Sequence, residues 1–165
     1  MTDPLHVFRF RVDFFEDGVD RASPGTDRVA LCGGSFSECA GLEATMEPKA
    51  IREGGHNYGD HQRAGYVTFA TVVLKRGITQ TQHLWRWFDM VAGGRTAPRL
   101  TARLVHIGTD QDPSTSGGTL TWEMRNAMPV KFKAATYGAT SAEVGVEELH
   151  FVHEGLSVIP PGGAA

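Results

Sequence analysis

Cysteine is nearly absent from this chain: Cys32 and Cys39 are the only two among 165 residues. No stretch of about 18 apolar residues occurs, so no membrane-spanning helix is predicted. The N-terminus, Met1-Thr2-Asp3-Pro4-Leu5-His6, has neither the basic n-region nor the apolar h-region of a secretory signal. Without an export signal the two cysteines read as thiols rather than a disulfide, and the expectation is a protein made and folded in the cytoplasm. Basic excess is lacking as well. Sixteen Lys and Arg against 19 Asp and Glu leave a formal charge of −3, which argues against a dedicated nucleic-acid site.

Reactive constellations are also missing. No G-x-x-x-x-G-K-[ST] loop or G-x-G-x-x-G turn is present to cradle phosphates, and Ser35 and Ser37 beside Gly33-Gly34 do not form a G-x-S-x-G nucleophile elbow. Seven histidines invite a metal reading. His150 and His153, three apart, would share a helix face but point to opposite faces of a strand, and His56 and His61 have no further ligands implied around them. Glu147-Glu148 diverge in the same way, so a paired-carboxylate site is not expected. No enzyme, cofactor or metal site is predicted.

What the chain does have is alternation. With 41% apolar residues and 20 glycines, it suits one turn-rich, mainly β domain, and a domain this long buries about 70% of its unfolded surface. In residues 5–15, Phe8, Phe10, Val12 and Phe14 share one parity and Arg9, Arg11 and Asp13 the other, a strand with one core face. A short strand is predicted at Val29–Cys32. Tyr66–Arg76 is the longest strand candidate and is apolar on both parities, which suits burial on both sides or a face against a neighbouring subunit. Residues 98–107 and 119–125 read as a hairpin across the turn at 110–118, and Val130–Lys133 and Glu143–His153 add strands. In the last of these the apolar parity changes at Glu147-Glu148, which predicts a β-bulge there.

One helix is expected at about 80–92, capped by Thr79 or Thr81, with Leu84, Phe88 and Val91 as its apolar stripe and Trp85 and Ala92 widening it. Trp85 and Phe88 are the expected anchors. Gly93-Gly94 ends it. The fold class is therefore mainly β, a barrel or two packed antiparallel sheets, with one flanking helix. The domain spans 1–158, and 159–165 is a tail.

The least ordinary segment lies at about 47–65, a long extended arm joining two β-like runs. Glu47, Lys49, Arg52, Glu53, Gly54, Gly55, Asn57, Tyr58, Asp60 and Arg63 give it mixed charge, glycine and little apolar content. Connections this long and polar inside a compact domain are functional or disordered. From the residues alone this mixed charge reads equally as a solvated flexible loop or as a docking surface whose charges set register with a partner rather than raw affinity.

The arm sits within a wider pattern: Gly34-Ser35-Phe36-Ser37-Glu38, Gly41-Leu42, Arg52-Glu53-Gly54-Gly55 and Val73-Leu74-Lys75-Arg76-Gly77, then Leu84-Trp85-Arg86-Trp87, Trp122-Glu123, Asn126 to Lys131 and Glu147 to Leu156. In this order, over roughly residues 5–158, the blocks resemble the tail tube proteins of contractile phage tails and related injection systems. The resemblance implies hexameric rings whose strands join around a lumen and which stack into a tube, with those ten arm residues as the candidate contacts to another subunit. Implied partners are other copies of the chain, a sheath protein, baseplate or tube-initiating and terminating proteins, and luminal cargo. From the residues alone, a monomeric β-barrel module whose arm grips a small ligand is the competing reading.

Overall fold

The computed structural model describes residues 9–16, 36–94, 99–108, 120–140 and 143–159. The strands are β1 (Phe10–Glu16), β2 (Glu38–Ala40), β3 (Ala44–Met46), β4 (Lys49–Ile51), β5 (His61–Arg63), β6 (Val67–Phe69) and β7 (Val72–Gly77). The helix α1 (His83–Ala92) follows, then β8 (Leu100–His106), β9 (Leu120–Lys133), β10 (Val146–Val152) and β11 (Gly155–Ile159). All pairings are antiparallel. Seven strands form the main sheet in the order β1-β8-β9-β10-β7-β2, with β11 also on β9. The sheet does not close on itself: among the described residues β1 and β2 are its ends. The mainly β architecture with one helix follows the alternation in the sequence. The barrel option is corrected to an open sheet folded into two packed halves.

The 14-residue β9 joins those halves. Its first part pairs with β8 on one side, Leu100 facing Ala127 and His106 facing Leu120. On its other side Val152 faces Met128 and Gly155 faces Arg125. Those two pairs keep one register, so β10 and β11 lie end to end along β9, interrupted only at His153-Glu154. Two irregularities bend β9. Between Leu100 and Ala102 of β8 the strand spends one residue more than its partner, and Asn126 there adopts φ 54°. A second extra residue, Val130, falls where His150 faces Lys131 but Phe151 faces Pro129, a position that tolerates the missing proline N–H.

The predicted bulge at Glu147-Glu148 is therefore corrected: the irregularity belongs to β9. Val144 precedes the strand and is exposed, and Glu147 itself takes the inward parity with Leu149 and Phe151. It can do so because Arg76 of β7, facing it in register, is fully buried and places Nε 2.5 Å from Glu147 Oε1. The Arg76 guanidinium also lies 5.9 Å from the Phe36 ring centre. Sequence parity counted only apolar residues and so missed a charged pair on the core side.

The core joins Val12 and Phe14 of β1, Val72 and Leu74 of β7, Leu100 and Ala102 of β8, Met124 of β9 and Leu149 and Phe151 of β10. Helix α1 closes it with Leu84 and Trp87. The Trp87 ring meets Phe14 edge-on at 5.3 Å and Phe151 at 6.5 Å. Two sequence expectations for the helix are corrected. Its N-cap is Gln82 at φ 49°, with no side-chain cap from Thr79 or Thr81, whose hydroxyls face each other at 3.0 Å. Its inward stripe is Leu84, Trp87 and half-buried Val91, not one centred on Trp85 and Phe88. Trp85 remains 44% exposed and rests on Phe132 and Phe88. Aromatics at 85, 87 and 88 surround the helix, so periodicity alone does not choose between them. The predicted stop stands, with Gly93 N–H donating to the Asp89 carbonyl and Gly94 at φ +67°.

Cys39 on β2 is a free, half-buried thiol whose pKa is pushed up to about 12 by burial, with the neighbouring Glu38 charge adding to it. The strand predicted at Val29–Cys32, Cys32 itself, the 110–118 turn and most of the tail lie outside the described residues.

Candidate functional site

The Tyr66–Arg76 strand of the sequence reading is two strands. β7 belongs to the body, whereas β6 turns away at Ala70-Thr71 and pairs with β3, Ala44 facing Phe69 and Met46 facing Val67. Beyond it β4 pairs with β5, Lys49 facing Arg63 and Ile51 facing His61. The segment expected as a loop is thus a two-stage antiparallel hairpin, with residues 52–60 as its tip. Every residue from Glu43 to Ala64 is exposed. Tyr66, which was expected inside a two-sided strand, is 90% exposed.

Close backbone approach fixes the arm at its base and at its joint. Gly41, at φ +92°, lies where a Cβ would sit 2.2 Å from the Thr71 carbonyl oxygen. Between the two ladders, a Cβ on Gly65 would sit 2.0 Å from the Glu47 carbonyl oxygen, while Glu47 N–H donates to Tyr66 O at 3.2 Å. Only glycine permits either approach. At the root, Ala70 N–H donates to Glu43 O. The Phe69 ring packs 5.0 Å from that of His153, which sits in the break between β10 and β11. His153 Nδ1–H donates to Gly155 O at 3.1 Å, and its buried Nε2 has no partner among the described residues. Burial holds the His153 pKa below its ordinary value, partly offset by that hydrogen bond.

All ten residues singled out in the sequence lie on the arm, and all are exposed. Lys49 and Arg63 occupy the outer ladder, and Glu47 lies at the joint. Arg52, Glu53, Gly54, Gly55, Asn57, Tyr58 and Asp60 form the tip. The tip is held by polar contacts: Arg52 Nε lies 3.7 Å from Asp60 Oδ1 and His61 Nε2 3.0 Å from Glu53 Oε2. The His56 and His61 rings stack at 4.6 Å. Exposed pairs of this kind contribute about 0–1 kcal/mol each, far below the ordering cost of roughly 1–2 kcal/mol per residue.

The sequence reading left out most of the arm's exposed apolar residues. Met46, Ile51, Tyr58, Tyr66 and Val67 are all at least 40% exposed, and Met46 and Val67 face each other across the inner ladder. Exposed large apolar side chains gathered on one hairpin are a feature of surfaces that meet a partner. Met46, Ile51 and Val67 lie in three-residue strands, too short for a period to register. No group of three potential metal ligands converges among the described residues, and no reactive set is gathered on the arm. What the geometry offers is an exposed hairpin of mixed charge and apolar residues projecting from a packed body.

The comparisons give that architecture a family. Residues 6–157 match the T4-like virus tail tube protein gp19 family, and the chain belongs to it, as a structural tail tube subunit. The fold is similar to a chain in the cryo-EM structure of the anti-feeding prophage (AFP) baseplate, at 22% identity and a TM-score of 0.74, covering 97% of this chain and 98% of that one. It is similar to a chain of the extended sheath-tube complex of the extracellular contractile injection system PVC, at 18% identity and TM-score 0.70, covering 95% and 92%. A chain of the extended PVC sheath/tube terminator matches at 17% identity and TM-score 0.72, covering 96% and 98%. No curated protein matches the chain.

Proposed function

We propose that this protein builds the inner tube of a contractile injection machine by forming hexameric rings that stack around a lumen, with the arm as the contact between copies. The observation that carries this reading is the segment 43–64, organised into two ladders yet without one buried residue. A hairpin of that kind is marginal alone and gains its stability from what it lies against. Glu47, Lys49, Arg52, Glu53, Gly54, Gly55, Asn57, Tyr58, Asp60 and Arg63 belong to that contact, and Met46, Ile51, Tyr66 and Val67 join Tyr58 as its apolar part. Among the described residues β1, β2 and β11 each pair on one side only, and such edges can pair around a ring, which closes where its contacts are head-to-tail.

The family and the AFP and PVC likenesses support a sheath, a baseplate or tube initiator and a terminator as partners, with cargo in the lumen. Residues 1–158 act as one domain. The function is mechanical rather than catalytic, and the chain is made in the cytoplasm before joining a particle. The test is electron microscopy of purified protein across a concentration series. Wild-type protein should form rings with a central hole and then stacks, whereas a variant with residues 47–65 replaced by a short Gly-Ser turn should keep a folded body and fail to stack. Compact monomers at every concentration would overturn the reading.

The competing monomeric module gains little from the structure. An apolar cleft of about 350 Å³ does open between β2 and the β1-β8-β9 half, lined by Phe10, Leu42, Leu104, Leu120 and Trp122 among others. No residue of the arm, 43–64, lines it, so the two do not make one ligand site.

A further inference from the structure

The outer ladder of the arm has a charge arrangement that its own protomer leaves unanswered. Lys49 and Arg63 face each other directly across β4 and β5. Like charges in directly opposed positions destabilise a strand pair, and a hairpin this small has little to offset that. The other charged groups of the outer arm are matched, Arg52 with Asp60 and His61 with Glu53. Lys49 and Arg63 have no ion-pair partner among the described residues. Ile51 and His61, two residues further along the same strands, share their face, so the two cations border an exposed apolar side chain.

We propose that Lys49 and Arg63 form a cationic clamp that receives a carboxylate from a second copy of this chain when two copies dock. The proposal rests on the arm acting as an inter-copy contact and names the chemistry of that contact. Two cations on opposed strands fit a single carboxylate placed between them: Arg63 offers a planar fork of donors and Lys49 a mobile ammonium. Docking then converts a repulsion into two charge-assisted contacts, which makes the outer arm more favourable in the assembly than in the free protomer. The chain itself supplies suitable acids. Its net charge is −3, and Glu47 and Asp89 are exposed carboxylates with no ion-pair partner among the described residues. A like-charged pair with matched neighbours is the pattern expected where charge selects register between copies.

The test uses the full chain in four forms: wild type, Lys49→Gln/Arg63→Gln, Lys49→Glu/Arg63→Glu, and the Gly-Ser arm replacement. Ring stacking is followed by sedimentation at 50 to 500 mM NaCl, and protomer stability by thermal midpoint. The neutral double variant should stack more weakly, by about twofold at each arm. Over a sixfold ring, the symmetry of the AFP baseplate structure, this compounds to about sixty-fold, and most of the salt dependence of stacking should disappear. Its thermal midpoint should be unchanged or higher, because a repulsion has been removed. The charge-reversed variant should not stack, and adding Glu47→Lys or Asp89→Lys to it should restore stacking.

Normal stacking of the neutral variant, with its salt dependence intact, would overturn the clamp. If the arm replacement abolishes stacking in the same series, the arm reading survives that failure; if the arm replacement stacks too, both fall. Loss of binding to a single-stranded oligonucleotide with stacking untouched would also overturn the proposal, by assigning the cations to a polyanion instead.

Discussion

The body and the arm of this protein solve the charge problem in opposite ways. In the body, Arg76 is fully buried and Glu147 nearly so, with Arg76 Nε 2.5 Å from Glu147 Oε1 and the two terminal guanidinium nitrogens without a partner among the described residues. Arg103 pairs with Glu123 at 2.8 Å beneath the Phe15 ring. In the arm, charges stay in water, and two cations are set against each other. Desolvated pairs specify a single internal arrangement, because either member alone is an uncompensated buried charge. Solvated, mismatched charges specify nothing within the protomer and leave their information for a partner. The difference separates residues that make the fold from residues that use it.

The largest effect should come from breaking the buried pair. Glu147→Ala leaves the Arg76 guanidinium buried without its carboxylate and should cost about 3–5 kcal/mol, read from chemical denaturation. Replacing both members by apolar residues of similar volume should recover most of that loss. If Glu147→Ala proves as mild as an arm substitution, the two regions do not differ in the way described.

Trp87→Ala should follow closely, at about 3–5 kcal/mol for a large buried aromatic. Trp85→Ala, on the outer face of the same helix, should cost about 1 kcal/mol for its contacts with Phe88 and Phe132. Equal costs at 85 and 87 would mean the helix sits rotated from the face assigned to it.

These two sites also show what was legible beforehand. The alternation of Phe10, Val12 and Phe14, one helix expected at about 80–92 and found at His83–Ala92, its glycine stop, and the polarity of the arm could be read because each is a local pattern. The inward Glu147 could not, since its position depends on Arg76, 71 residues away. Nor could the choice of Trp87 over Trp85, which depends on where Phe14 and Phe151 arrive from other strands. The arm's polar residues were visible as composition. Its ladders were not, because strands of three residues carry no period, and the pairing of Lys49 with Arg63 follows only from the register.

A smaller effect should appear at the junction of the two regions. Burial lowers the pKa of His153 in the folded protein, so below the ordinary histidine range the unfolded chain binds the proton more readily. Its contribution is then fully present above about pH 6.5 and shrinks as pH falls through that value toward the folded pKa. Protonation would put an N–H on buried Nε2, which has no acceptor among the described residues, beside Phe69 at the arm root. Denaturation midpoints between pH 7.5 and 5 should therefore fall for the wild type and fall less for His153→Gln. Identical slopes would remove His153 from the account of the junction.

The smallest effect on protomer stability should come from the arm itself, and it is the sharpest test of the comparison. Residues 49–51 and 61–63 have ladder partners, so their amides are not free in the way a loop's would be. Yet no side chain between 43 and 64 is buried, and a two-stranded ladder without a core opens at little cost in free energy. In free subunits these amides should exchange by local opening, orders of magnitude faster than those of Val72, Leu74 and Leu149, whose side chains are fully buried. In stacked rings the same amides should slow toward the body's rates, while the body's own rates hardly change. Equal protection in free and assembled protein would mean that the hairpin is stable without a partner. The exposed row from Met46 to Val67 would then need another occupant than a second copy, and the body and the arm would no longer differ in what holds them.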